Sequence, residues 1–107
     1  MLLTAQDSRA GVATSTSPAS LASPLRLAHA GRWCLWIAPT TEAVTLVRYR
    51  TRGTADWPWG PWVTATGVTP AAGATATVAV DGDCAADLDV EVTAAGVGTV
   101  ALYVVGV

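Results

Sequence analysis

Three indoles fall within six residues in Trp57-Pro58-Trp59-Gly60-Pro61-Trp62. An exposed indole stacks on a sugar ring or anchors a protein interface, and a buried one fills a core. The leading expectation is core packing, with two of these rings capping the open end of the core. A protein interface and a sugar platform are the alternatives.

A second constellation is electrostatic. In Val47-Arg48-Tyr49-Arg50-Thr51-Arg52, the arginines alternate with Val47 and Tyr49. On a strand, Arg48, Arg50 and Arg52 therefore share one face. Asp87, Asp89 and Glu91 form a matching acidic row, alternating with Leu88, Val90 and Val92. If the two strands share a sheet, the rows pair across it. If they do not, each row faces another subunit and sets the register of an assembly. The internal pairing is the expectation. The acidic row does not read as a calcium site, because carboxylates about 7 Å apart along a strand make a stripe and not a cage of oxygens.

Little else in the chain points to catalysis. His29 is the only histidine, so a Ser-His-Asp triad would have to use it, and no nucleophile elbow accompanies it. A strand-end histidine with a local hydrogen bond is the expectation. Cys34 and Cys84 are the only cysteines, and with His29 they are too few for a metal site. Two free thiols are expected, with a single bridge between strands as the alternative. No glycine-rich phosphate loop leads into a helix. The chain is thus expected to be no enzyme and to hold no cofactor or metal.

The elements that position these residues read as short strands between turn signals. Trp33-Cys34-Leu35-Trp36-Ile37-Ala38 is an apolar run short enough for a buried strand. Val44 to Arg52 is a second strand. Trp57 to Thr66 is another, and its prolines place its start at a sheet edge. Ala74 to Val80 and Asp87 to Thr93 alternate. Gly96-Val97-Gly98 reads as a hairpin-type turn, and Thr99 to Val107 is apolar on both faces. With a strand over Leu25–His29, that makes about seven strands and no convincing helix. The fold class is therefore all-β, a single antiparallel β-sandwich.

Residues 1–23 differ. They are small and polar, are interrupted by proline and lack a sustained period, so they read as an extended N-terminal arm before a sandwich domain at 24–107. Leu2 and Leu3 are its apolar anchors for a neighbouring subunit. Some cover is expected over the doubly apolar last strand, from this arm or from another subunit.

The pattern over residues 25–107 resembles fibronectin type III and related immunoglobulin-like modules. Trp33–Ile37 matches the tryptophan-bearing second strand and Leu46–Arg50 the next. Asp87–Ala94 with Thr99–Val105 matches the closing hairpin. The jelly roll is the runner-up architecture.

Of the 107 residues only 13% are charged, and every basic residue is arginine. Net charge is −2, which disfavours nucleic acid. There is no basic start followed by an apolar run, as a signal peptide needs, and no apolar stretch of about 20 residues, as a membrane span needs. Synthesis in a bacterial cytoplasm is expected. The resemblance to free-standing sandwich modules of tailed-phage particles implies a virion decoration, cement or connector protein. It would bind other virion subunits, or copies of itself, through Leu2, Leu3, Trp57, Trp59, Trp62 and the arginine row. A carbohydrate-binding module and a non-phage adaptor are the alternatives.

Overall fold

Alternation builds these sheets. Each long strand places apolar side chains on one face at every second residue, and those faces meet in a single core. The computed structural model describes residues 3–107. The strands are β1 (Ala5–Thr14), β2 (Ala19–Ser20), β3 (Leu25–Arg26), β4 (Arg32–Pro39), β5 (Val44–Arg52), β6 (Val63–Thr64), β7 (Ala76–Asp81), β8 (Asp87–Ala94) and β9 (Gly98–Gly106). Sheet A has the order β1-β9-β4-β7, and sheet B the order β2-β8-β5-β6 with β3 also on β8. Ala19 pairs with Val92 and Leu25 with Leu88, so β2 and β3 act as one interrupted strand along β8.

The expected β-sandwich is present, and all of its strand pairs are antiparallel. Its strand order is that of the jelly roll, with two four-stranded layers between which the chain passes back and forth. The order departs from the immunoglobulin-like one. In particular, β8 and β9 do not form a closing hairpin, because they lie in opposite sheets. The Gly96-Val97-Gly98 segment arches from one sheet to the other and packs on the β4–β5 connection. A Cβ on Gly98 would stand 2.7 Å from the Thr41 hydroxyl, so a larger residue there would require the Thr41 side chain to turn aside. Alternation identifies a strand but not its partner, and both arrangements satisfy the same pattern.

The core is filled by Leu25, Leu27, Leu35, Ile37, Val44, Val47, Leu88, Val90, Val92, Val100, Leu102 and Val104, all buried. Trp33 joins them and meets Tyr49 edge to face at 5.4 Å. The Trp33 Nε1–H donates to Asp83 at 3.3 Å.

The separate arm is corrected by the structure. Residues 5–14 form β1, which pairs with β9 along nearly its whole length. Two features hid this strand. Between Arg9 and Val12 the register shifts by a bulge. Gly11 sits there with φ of 64°, in the left-handed region that a bulge of this kind uses. Second, Asp7 and Arg9 serve as a polar clasp between the sheets. Asp7 accepts from the Arg26 amide at 2.9 Å, and Arg9 donates to the Pro24 carbonyl at 2.7 Å. An edge strand bound through its backbone and a polar clasp needs no apolar period. The arm also does not cover β9. Strand β1 lies beside β9 in the same sheet, and among the described residues of the arm none but Leu3 reaches the outer side of β9.

Candidate interaction surfaces

The outer face of sheet B carries the arginine and acidic rows. Because β5 and β8 pair, Arg48 stands opposite Glu91, Arg50 opposite Asp89 and Arg52 opposite Asp87. All three pairs close. Arg48 Nε donates to Glu91 at 2.8 Å, Arg50 Nε to Asp89 at 3.0 Å and Arg52 Nε to Asp87 at 2.8 Å. The charges expected to face either each other or a neighbour are matched within the chain.

The indole segment completes this face. Pro58 and Pro61 keep residues 57–62 out of the ladder, and β6 shrinks to Val63–Thr64 at the edge of sheet B. The loop folds back over the arginines. The Arg50 and Arg52 guanidinium groups lie 5.1 and 4.3 Å from the Trp59 ring. Those of Arg48 and Arg50 lie 5.1 and 4.3 Å from the Trp62 ring. Each ring therefore bridges two arginines through cation–π contacts. The expectation that two indoles cap the core is corrected, since Trp59 and Trp62 pack outside sheet B on the arginine row. Trp57 makes no such contact and is 67% exposed. Under this roof Asp89 is only 6% exposed, although it points away from the core.

The outer face of sheet A is built from different residues. Trp33, Leu35 and Ile37 point inward from β4, so Cys34, Trp36 and Ala38 point outward. The register sets Cys34 beside Val105 and Ala79, Trp36 beside Tyr103 and Thr77, and Ala38 beside Ala101. On β4, β7 and β9 the only charged outward residues are Arg32 and Asp81, which are paired in register at one end. Trp36 stands 44% exposed in the middle of this face. Next to it lies a mostly apolar depression of about 400 Å³ lined by Leu3, Cys34, Ala79, Val105 and Val107 together with the charged pair Arg32 and Asp81. Sequence reasoning missed Trp36, Cys34, Tyr103 and Val105 as surface residues. Their signal was available in the unbroken apolar runs of β4 and β9, each of which has one face more than a single core can use.

Leu3 lines the depression and is 53% exposed. Leu2 lies outside the described residues. Cys34 and Cys84 are both free thiols. Burial raises the pKa of Cys34 above its usual value. A ring nitrogen of His29 lies 3.1 Å from the Cys84 carbonyl, the local hydrogen bond expected for it. Ala28, His29 and Cys84 have φ of 50°, 59° and 52°, and this strained corner is held by backbone bonds to Ala85 and Ala86. At Asp7, burial raises the pKa, but hydrogen bonds from the Arg26 amide, the Arg9 side chain and the Ser8 amide outweigh it. With the Arg9 charge, they hold this carboxyl below its ordinary value. Among the described residues no helix is long and apolar enough to cross a membrane.

No family model matches the chain, and no curated protein matches it significantly. Two solved structures are distantly similar to it. One, from Bacillus endospore appendages described as disulfide-linked pili, is 13% identical with a TM-score of 0.44, over 99% of this chain and 90% of that one. The other, from infectious bursal disease virus Gx strain, is 12% identical with a TM-score of 0.35, over 97% of this chain and 32% of that one. Likenesses this distant assign no function.

Proposed function

We propose that the protein is a non-enzymatic structural subunit that docks into a larger assembly through the outer face of sheet A. The observation that carries this reading is the nearly uncharged face around Trp36, Tyr103 and Val105. Contiguous area of this kind, apolar but for neutral groups such as Thr77 and Ser8 and charged only at one end, marks interaction surfaces. Aromatic anchors beside a pocket are where binding energy concentrates.

The assembly we favour is a bacteriophage particle, with the chain as a decoration, cement or connector protein. The support is a fold-level analogy: viral capsid domains use the jelly-roll order. Fractionating particles from the native source tests it. The chain should pellet with particle-sized material, and Trp36→Arg should move it to the soluble fraction while its circular dichroism stays unchanged. A chain found only in the low-mass fraction would contradict the reading.

One observation favours a second reading. Trp57 holds its indole free at the rim of sheet B, where it could stack on a sugar ring. Retardation of the wild type, but not of Trp57→Ala, in a polysaccharide-containing gel would support it.

A further inference from the structure

We infer that the occupant of the outer face of sheet A is a second copy of this chain, docked face to face about a two-fold axis. This rests on the reading of that face as an interface and names its partner. Four observations carry it.

The first is shape. Trp36 projects from the middle of β4, and the depression begins two residues away along the same strand, at Cys34, Ala79 and Val105, and runs on to Arg32 and Asp81. Two strand residues span about 7 Å. A two-fold axis crossing β4 between Trp36 and Cys34 sets each Trp36 over the partner's depression. One patch then serves as both knob and hole, as an isologous interface requires.

The second is charge. The chain carries a net −2, yet among the described residues this face offers one arginine and one aspartate, both at the Arg32–Asp81 end. The axis sends that end of each copy to the opposite end of its partner, where β4 and β9 present Ala38 and Ala101. No like charges oppose each other, and the rim charges keep access to water.

The third is area. Strands of ten, nine, eight and six residues, at about 3.3 Å per residue and about 4.8 Å apart, give a face of about 520 Å². Two faces bury about 1,000 Å², the floor for a biological interface and the size of a weak, reversible one. The small outward residues Ala38, Ala79 and Ala101 let two sheets approach to the roughly 10 Å of ordinary sheet packing.

The fourth is sequence. In β9, Val100, Leu102 and Val104 are buried while Ala101, Tyr103 and Val105 point outward. A strand apolar on both faces is the pattern of a strand covered on both sides. The chain covers one side, and a second sheet A supplies the same chemistry for the other.

Sedimentation velocity of the purified full chain, across protein concentrations from about 1 to 500 μM, tests the inference. An interface of this size supports micromolar self-association. The wild type should shift from monomer to dimer over that range. Trp36→Arg should weaken the association by about 30-fold or more, as loss of a central aromatic anchor does. Trp59→Ala, on the other sheet, should leave it intact. Unchanged circular dichroism in both variants shows that they remain folded. A wild type that stays monomeric throughout overturns the second-copy inference. A dimer indifferent to Trp36→Arg overturns it as well, because the copies would then meet elsewhere. Neither result touches the broader assembly reading, which fails only if the chain is absent from particle-sized material.

Discussion

The two outer faces of this sandwich use their side chains in opposite ways. Sheet B faces outward with three arginines and three carboxylates, paired strand to strand and roofed by Trp59 and Trp62. Its polar groups are largely matched inside the chain. Sheet A faces outward with Trp36, Tyr103, Val105, Cys34 and alanines, and little of that apolar area is matched. Residue type alone would suggest the reverse, with the charged, indole-rich face as the binding surface and the plain apolar strands as core. A conspicuous motif can be structural when its partners lie in register, and an ordinary apolar run can be functional when it faces outward.

This contrast can be broken by mutation. The largest effect is expected at Arg50, because its loss leaves Asp89 as an uncompensated carboxylate that is only 6% exposed. Arg50→Ala should cost about 2–3 kcal/mol in urea unfolding, somewhat less than breaking a fully buried pair. Arg50→Met with Asp89→Leu should recover most of that loss, since the pair's main demand is that neither charge stand alone. An Arg50→Ala protein as stable as the wild type would mean that sheet B is not internally matched.

The roof comes next. Trp59→Ala removes contacts to Arg50 and Arg52 and should cost about 1–2 kcal/mol, whereas exposed Trp57→Ala should stay within about 0.5 kcal/mol. Equal effects from both would deny the roof its role. On sheet A, Trp36→Arg should change monomer stability by no more than about 0.5 kcal/mol at concentrations too low for association. A large loss there would make Trp36 a folding residue and not an interface residue.

The smallest effect is at the polar clasp of β1. The Asp7 carboxyl lies below its ordinary pKa in the folded chain. Its contribution is therefore complete above the unfolded value near 4 and is lost as pH falls through the lower folded value. Urea unfolding from pH 6 down to pH 3 should show Asp7→Asn losing less stability than the wild type as acid is added. Parallel curves would remove the clasp from the account.

Much of the sandwich was legible because alternation is written plainly in Val47–Arg52 and Asp87–Val92. It fixed which side chains share a face, and it matched the arginine and acidic rows before their register was known. It did not fix which strands are neighbours, so β8 and β9 looked like a hairpin although they belong to opposite sheets. β1 was not legible at all. Its bulge at Gly11 interrupts the period, and its inward Asp7 and Arg9 mimic an exposed polar segment. The prolines at 58 and 61 correctly placed a sheet edge. They did not reveal that the loop turns back over the arginines, since that depends on a cross-strand register no local pattern encodes.

The central claim, that two copies of the chain meet through the outer face of sheet A, is tested most directly by the two thiols. Cys34 lies on that face, half-buried, and Cys84 lies exposed in the loop between β7 and β8. Maleimide labelling of the purified protein, read by mass spectrometry at low and high protein concentration, compares them within one molecule. Cys34 labelling should slow as the protein is concentrated while Cys84 labelling keeps its rate. Cys34 labelling that is independent of concentration would contradict the face-to-face dimer, and slowing of both thiols together would place the contact elsewhere.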